Sequence, residues 1–479
     1  MSTDASTRRA RTRRRRSRAF LSAFVAVVAL LAVVGLTTAA VSVAQGPRVT
    51  RVSVDPDAAI NAAGARLIFT TTQSLAEVTP DQVHVSPAAD VTVDTSGRSV
   101  GIRFALPLWD DTEYTVTITD VRGLGGGAST TLTKTFTTPP LETFLLQRGS
   151  DGDTIFRTDL KGDAAVPVFS DPQIEDFRAT ASHLVISTLD DDGHSHLIVT
   201  DRDGEGAREL TLPGTGTISN LQSADRGNLI GYTFTDATIG TAGARESLLF
   251  TVPIGSSGDD AAPTEIVRTG GESRVDDWRF VPGTDTLLML TFDGALTLVT
   301  PPTADAAQTA PVALGNAVAI DGIARGSTTV VVERVEGPVA IDLATAQEVP
   351  LPATDPALGQ VNTVTPLADG TTLRALAILD GFTVRSTTVN VVDAQGAADP
   401  VFEVAPADTL IETCVSPSGR YAAFLVAPNA VDNPYDGHLL PLPQTVQTHV
   451  VSIAGDERGE EVVALQGFDI SWCQVPPRG

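Results

Sequence analysis

The pattern of apolar and polar positions divides the chain into one long apolar run and a body of short segments. Residues 19–44 carry no charge, and residues 20–36 are almost wholly Phe, Leu, Ala and Val. A helix that spans a bilayer needs about 20 such residues. From residue 47 onward, short segments alternate apolar and polar positions or are rich in β-branched residues, with Gly, Pro, Asp or Asn between them. The pattern predicts a membrane-spanning helix followed by an all-β body.

Positive charge is concentrated ahead of the apolar run, where the first 18 residues contain eight Arg and one Asp. Basic residues beside a spanning segment are retained in the cytoplasm. We therefore expect a cytoplasmic arm (1–18), a single-pass cell-membrane anchor or signal segment (19–45) and an extracytoplasmic body. The small residues at positions 42–44 leave open a second outcome, in which the chain is cleaved after Ala44 and secreted.

The body is strongly acidic, since the whole chain carries a net charge of −25 despite its basic arm. Nucleic-acid binding requires a basic surface that neutralises phosphates. The composition therefore excludes a nucleic-acid partner for the body.

Residues 47–140 contain seven short predicted strands within about 90 residues, a density that is typical of a β-sandwich. The strands are predicted at 49–54, 66–72, 82–85, 91–93, 99–104, 113–120 and 131–137. The sequence TEYTVTI at 112–118, the Gly-rich turn at 123–127 and TFTTP at 135–139 resemble the end of bacterial immunoglobulin-like (Ig-like) domains of surface-layer type. The resemblance implies an Ig-like sandwich that acts as a spacer or stalk.

Residues 141–479 contain a repeat, and a repeat decides the fold of a long chain. A strand of similar pattern recurs seven times at spacings of 42 to 60 residues, as TIFRTDL (154–160), HLIVTDR (196–202), SLLFTVP (247–253), ALTLVTP (295–301), PVAIDLA (338–344), TVNVVDA (388–394) and THVVSIA (448–454). A more apolar strand precedes six of them. This spacing is the size of a four-stranded blade, so the repeat predicts a seven-bladed β-propeller.

Three segments align on a final proline and indicate the innermost strand of a blade: 275–282, 411–417 and 470–476. They resemble the strand and Ser-Pro-x-Gly turn of TolB-type propeller repeats, and residues 416–419 keep the full turn. Residues 468–474 have no blade after them. We expect them to pair with 144–148 and so to close the ring, which removes an exposed sheet edge.

Cys414 and Cys473 are the only cysteines, and the alignment places them at the same position of neighbouring inner strands. An even cysteine count in an exported protein favours a disulfide. The alternative is a pair of free, buried thiols.

Four charged residues lie on or beside the inner strands and are candidates for channel or ligand contacts: Asp276, Asp277, Arg279 and Glu412. They could equally form ion pairs or face solvent. The acidic, His-containing segment 190–196 could ligate a metal, but it lacks a third ligand, so we interpret it as a hairpin tip and predict no metal site. The long insertion 428–445 departs from the repeat and is a candidate binding element or an ornament.

No catalytic constellation is visible. The chain has no Gly-x-Ser-x-Gly elbow and no phosphate-binding glycine loop, and we expect no cofactor. These observations favour a membrane-anchored, extracytoplasmic binding or scaffold protein that contacts an envelope protein or a cell-wall polymer. The competing hypothesis is a cell-envelope hydrolase or lyase with its active site in the propeller funnel, because propellers host many activities.

Overall fold

The structure is a computed structural model of an all-β chain. It describes residues 20–35, 46–162, 165–225, 229–255, 262–268, 270–302, 308, 310–381 and 383–477. The contacts divide the chain into two compact units. The first contains 66–104 and 113–137 together with the chain up to Asp55, and the second contains 56–65, 105–112 and the chain from Thr138 onward.

An apolar helix, α1, covers residues 20–35. Within the described part of the chain, no helix combines the length and the apolar character that a membrane crossing requires. The predicted single-pass anchor, from which the cytoplasmic arm and the extracytoplasmic body were inferred, is therefore wrong. Residues 1–18 and 42–44 lie outside the described residues.

The first unit contains all seven strands predicted for this stretch. They form two antiparallel sheets, in the orders β1-β2-β5-β4 and β3-β6-β7. In β2 and β5 every second residue is buried, so that each strand has one apolar face. The strands are β1 (Val49–Ser53), β2 (Arg66–Thr71), β3 (Val83–Ser86), β4 (Val91–Ser96), β5 (Ser99–Phe104), β6 (Glu113–Val121) and β7 (Thr130–Thr137).

The described residues of the second unit form seven sheets in chain order, and each is an antiparallel meander. The first has three strands: β8 (Glu142–Gln147), β9 (Asp153–Asp159) and β10 (Val166–Asp171). The next three are β11 (Ile174–Ala179), β12 (His183–Leu189), β13 (Ser195–Asp201), β14 (Arg208–Leu210); β15 (Gly216–Ser223), β16 (Leu229–Asp236), β17 (Leu248–Pro253), β18 (Thr264–Glu265); and β19 (Val275–Phe280), β20 (Leu287–Thr291), β21 (Ala295–Val299), β22 (Val312–Asn316).

The last three sheets are also four-stranded. They are β23 (Ala319–Ile323), β24 (Thr329–Arg334), β25 (Gly337–Asp342), β26 (Gln347–Pro350); β27 (Gln360–Pro366), β28 (Thr372–Asp380), β29 (Thr383–Val392), β30 (Ala398–Val404); and β31 (Thr409–Val415), β32 (Tyr421–Ala427), β33 (Gln447–Ser452), β34 (Glu461–Gln466). A short helix, α2 (Pro56–Asn61), and 3₁₀ turns at Pro356–Leu358 and Ala430–Asp432 also belong to this unit. A 3₁₀ turn at Pro80–Gln82 belongs to the first unit.

The seven sheets are arranged as a ring. The first strands contact one another in chain order, from β11 through β15, β19, β23 and β27 to β31. Apolar clusters lie between neighbouring sheets; one joins Val185 and Leu197 of one sheet to Tyr232 and Phe250 of the next. Because each sheet buries its two faces against its neighbours, this arrangement is that of a β-propeller, the fold that the repeat predicts.

The ring closes between β8 and the segment after β34. The backbone N–H groups of Leu146 and Phe468 each donate to the other residue's carbonyl, at 3.0 and 2.9 Å, and the N–H of Ser471 donates to the carbonyl of Phe144 at 2.9 Å. The pairing expected between 468–474 and 144–148 is thus present, but only as an isolated bridge. The segment is not a strand because Asp469 has a φ of 53°, which interrupts an extended conformation.

Candidate binding cavity

A β-bulge recurs in the first strand of each of the six four-stranded sheets of the ring. One extra residue is inserted where this strand pairs with the second, and such bulges re-aim a side chain. Five of the six extra residues carry a carboxylate or an amide. The six are Glu175, Asn220 (which with Leu221 stands opposite Tyr232), Asp276, Asp321, Asn362 and Ile411. The same irregularity therefore gives the inner edge of the ring a polar lining.

Three of these bulges meet at a cavity of about 580 Å³. Glu175, Asn220 and Asp276 line it from β11, β15 and β19. The insertion after β32 contributes Leu439 and Leu440 to the same cavity. The cavity therefore combines acidic and apolar walls.

The structure places the four predicted contact residues at two cavities. Asp276, Asp277 and Arg279 line the larger one. Glu412 lines a smaller cavity of about 90 Å³, which Arg279 also reaches. The inner strands thus bring three of the predicted residues together and place Glu412 apart from them. That any of the four contacts a ligand stays a prediction.

Within the larger cavity, Asp277 and Arg279 are buried and form an ion pair. The Arg279 guanidinium also donates to the carbonyls of Trp278 at 2.7 Å and Ile320 at 3.2 Å. Asp276, by contrast, is exposed, and its carboxylate makes no hydrogen bond or ion pair with another described residue. Asp276 is therefore the carboxylate that is available to an incoming group.

A second buried ion-pair group lies on β11. The Arg178 guanidinium donates to both carboxylate oxygens of Asp469, at 2.8 and 2.6 Å, and lies 3.1 Å from the carboxylate of Asp176. Burial raises the pKa of Asp176 well above its usual range, against the lowering effect of Arg178, and the charge of Asp469 raises it further. Burial alone would lower the pKa of Arg178, but the two carboxylates outweigh it and raise that pKa.

This second ion-pair group was not among the predicted site residues, although the sequence carries a signal for it. The sequence IEDFR at 174–178 repeats VDDWR at 275–279, so each of these two first strands carries a bulge carboxylate, an Asp, an aromatic residue and an Arg. The third member of the group, Asp469, lies 291 residues further along the chain than Arg178, so no local sequence pattern predicts that the two residues meet.

Polar contacts hold the insertion 428–445 against the ring. The Arg148 guanidinium donates to the Asp436 carboxylate at 2.8 Å, and His438 Nε2 lies 2.8 Å from the Asp153 carboxylate. The carboxylate of Glu175 accepts the N–H of Leu439 at 3.0 Å. The Leu439 side chain is 51% exposed. The insertion therefore forms an ordered wall of the cavity with an apolar residue at its rim.

Cys414 and Cys473 form the predicted disulfide, with their Cα atoms 5.3 Å apart. It joins β31 to the segment that follows Phe468. The same covalent bond therefore reinforces the closure of the ring.

The segment 190–196 is a hairpin tip in the structure. The Asp190 carboxylate accepts the backbone N–H groups of Asp192 at 3.0 Å and His194 at 2.8 Å. His196 Nδ1 lies 2.7 Å from the Glu209 carboxylate. The Asp190 carboxylate thus has partners within the hairpin, as expected for an Asx-type turn, whereas Glu209 lies on the neighbouring strand β14.

No protein-family model matches the chain. No curated protein matches it at a significant level. Among solved structures it is similar to a 6-phosphogluconolactonase-like protein of Bacteroides fragilis (11% identity, TM-score 0.41, covering 69% of this chain and 96% of that one). It is also similar to the Cps50 (Swd1) β-propeller domain of Myceliophteria thermophila (13%, 0.38, 62% and 86%) and to a TolB-like protein of Agrobacterium tumefaciens (11%, 0.33, 68% and 90%). At these scores the likenesses carry no argument about function, and the fold assignment depends on the sheet order described above.

Proposed function

We propose that this chain is a non-catalytic binding protein whose propeller receives a protein partner at the cavity between β11, β15, β19 and the insertion. The observation that supports this most is the combination of an exposed carboxylate, Asp276, with the apolar rim residues Leu439 and Leu440. Such a cavity fits a basic, partly apolar polypeptide segment. Opposite charge at the rim speeds association and selects the partner.

The state of the other acidic groups favours binding over catalysis. Asp277 and Asp176 are each paired with a buried arginine, so both carboxylates already have a partner within the protein. No histidine among the described residues lines the cavity. The alternative of a hydrolase or lyase needs a positioned acid or base, and no contact in the cavity specifically favours that alternative.

The finer architectural assignments are part of the same proposal. We assign each of the seven sheets to one blade, of TolB-type ancestry, and we assign the first unit to an Ig-like spacer. The seven meanders and the Ser416–Gly419 turn support the first assignment. The buried alternation of β2 and β5 supports the second.

The cavity can be tested by site-specific photo-crosslinking in the full chain. A photoreactive amino acid at Leu439 should capture a discrete polypeptide from an extract of the source cells. The matched control is the same label at Val335, which is 89% exposed in the β24–β25 hairpin. Asp276→Lys should lower the yield of crosslinked product from position 439 about tenfold. The substitution replaces an attraction of about 1 kcal/mol between the carboxylate and a basic partner by a repulsion.

The charge control is Glu336→Lys, which makes the same change next to Val335 and should leave the Leu439 yield unaltered. Equal capture from Leu439 and Val335, or equal loss with both Lys variants, would contradict a partner site at this cavity.

A further inference from the structure

The four residues that follow Cys473 are Gln474–Pro477, and between them they line both cavities of the ring. Gln474 and Val475 line the smaller cavity, and Val475, Pro476 and Pro477 line the larger one. The smaller cavity lies at the ends of first strands, near Val415, and the larger one lies near their beginnings, at Glu175 and Asp276. We call these four residues the QVPP segment.

The QVPP segment is held much less firmly than the residues before it. Phe468 and Ser471 make backbone hydrogen bonds to β8, and the carbonyl of Trp472 accepts from Arg325 at 3.1 Å. Cys473 is covalently bound to Cys414. By contrast, no hydrogen bond or ion pair joins Gln474, Val475, Pro476 or Pro477 to any other described residue. Among the described residues, the segment is thus anchored at Cys473 and only packed from Gln474 to Pro477.

The chemistry of the segment matches the walls that surround it. Two successive prolines restrict the backbone to an extended, polyproline-like conformation and remove two N–H donors. Such a segment loses little conformational entropy when it binds, which is why extended proline-containing peptides are recurrent ligands of apolar grooves. Arg478 follows in the sequence, so a peptide of this sequence carries a positive charge that is complementary to an acidic wall.

We propose that the QVPP segment is a displaceable ligand in cis, which occupies the site where the propeller takes an extended, proline-containing basic segment of its partner. This inference rests on the proposed function and names the class of ligand for the same cavity. The Cys414–Cys473 disulfide keeps the displaced segment tethered beside the site. A tethered competitor acts at a high effective concentration and weakens the apparent affinity for the partner.

The test compares the full chain with a variant that ends after Gln474, which keeps both cysteines. The probe is a fluorescent peptide of sequence QVPPRG, and the readout is fluorescence anisotropy. The shortened chain should bind the probe at least tenfold more tightly than the full chain. A probe with both prolines replaced by glycine should bind the shortened chain more weakly, because more entropy is lost on binding.

Two matched variants locate the probe in the shortened chain. Asp276→Asn should weaken binding severalfold, whereas Glu336→Asn should leave it unchanged. Thiol labelling and a thermal melt show whether the shortened chain keeps its disulfide and fold. If it does not fold, the full-length variant Val475→Gly/Pro476→Gly/Pro477→Gly is measured in its place, and the same gain in probe affinity is expected.

A folded variant without the native segment that binds the probe no better than the full chain would overturn the inference, as would binding that is indifferent to Asp276→Asn. Failure of the inference is distinguishable from failure of the proposed function. If Leu439 still crosslinks a partner in an Asp276-dependent manner and removal of the segment changes nothing, the cavity binds a partner but the segment is not its competitor. If neither the Asp276-dependent crosslink nor the gain in probe affinity is observed, the inference and the proposed function are both overturned.

Discussion

Six of the described sheets in the ring are each built from four consecutive strands, whereas the first has three consecutive strands and a distant segment. In the six, local hairpins bring the first and second strands together. In the first sheet, β8 is bridged by Phe468, and Thr143 and Ser471, which are 328 residues apart, share a hydrogen bond of 3.0 Å. The comparison shows where the ring depends on long-range contacts: the seam between β8 and residues 468–473.

The difference also bears on function. The QVPP segment follows the seam in the chain and lines both cavities. The locally built sheets provide the bulge carboxylates that line the larger cavity. A change at the seam should therefore affect both stability and access to the cavity, whereas a change elsewhere on the ring should affect one of them at most.

The largest expected effect is at the seam core. Phe468 is 2% exposed and packs with Phe144 and Leu146, while the Arg148 guanidinium lies 4.8 Å from its ring centroid. Phe468→Ala should lower the free energy of unfolding by about 4 kcal/mol, since it leaves a cavity and removes apolar burial. Denaturant unfolding measures it. Phe292→Ala, at a ring that is 54% exposed, should cost less than about 1 kcal/mol; equal losses in the two variants would show that the seam is not a packed core.

The disulfide is the second way to break the seam. Replacing both cysteines by alanine should lower the free energy of unfolding by about 3 kcal/mol, because the unfolded chain regains the entropy of a 59-residue loop. Wild-type protein kept reduced should unfold at nearly the same denaturant concentration as the variant. An unchanged midpoint in both samples would mean that the bond adds nothing to the closure.

The buried pair on β11 predicts a pH effect of intermediate size. Burial raises the pKa of Asp176 well above its usual range, so in the window above its usual value the folded state keeps a proton that the unfolded state has lost. Stability from this group is therefore highest on the acid side of the window and falls as the pH rises. Asp176→Asn cannot lose a proton, so the free energy of unfolding of the wild type should decline relative to the variant as the pH increases. If the wild type instead becomes more stable relative to Asp176→Asn as the pH increases, the pKa of Asp176 is not raised in the folded state.

The smallest expected effect is on the local hairpin 190–196. The hydrogen bond to Glu209 raises the pKa of His196 from 6.5, against the lowering effect of burial, and the hydrogen bond to Asp190 raises it further. The stabilisation is complete below pH 6.5 and is lost as the pH rises through the raised value. His196→Gln should remove this pH dependence of the free energy of unfolding. Its size is less than about 1 kcal/mol because the ion pair is half-exposed. Unfolding curves at pH 6 and pH 8.5 measure it; a steeper slope in the variant would contradict it.

Much of the fold could be predicted from the sequence because strand period and turn residues are local. The strand 196–202 is observed at Ser195–Asp201, and the strand 154–160 is observed at Asp153–Asp159. The first strands were largely missed, since an inserted bulge residue disturbs the period of two on which such predictions depend. The pair of Arg178 with Asp469 spans 291 residues and leaves no local pattern. The anchor prediction depended on the apolar run alone, and the described residues contain no helix with both the length and the apolar character of a membrane span.

Hydrogen–deuterium exchange of the full chain tests the closure of the ring most directly. Peptides covering 142–148 and 466–473 should be protected to a similar degree in the oxidised protein, because the N–H groups of Leu146 and Phe468 lie in the same pair of hydrogen bonds. After reduction and alkylation of the cysteines, both peptides should lose protection together while the β15–β18 sheet keeps its own. Immediate exchange of either peptide in the oxidised protein, or loss of protection in one without the other, would contradict a ring sealed at this seam.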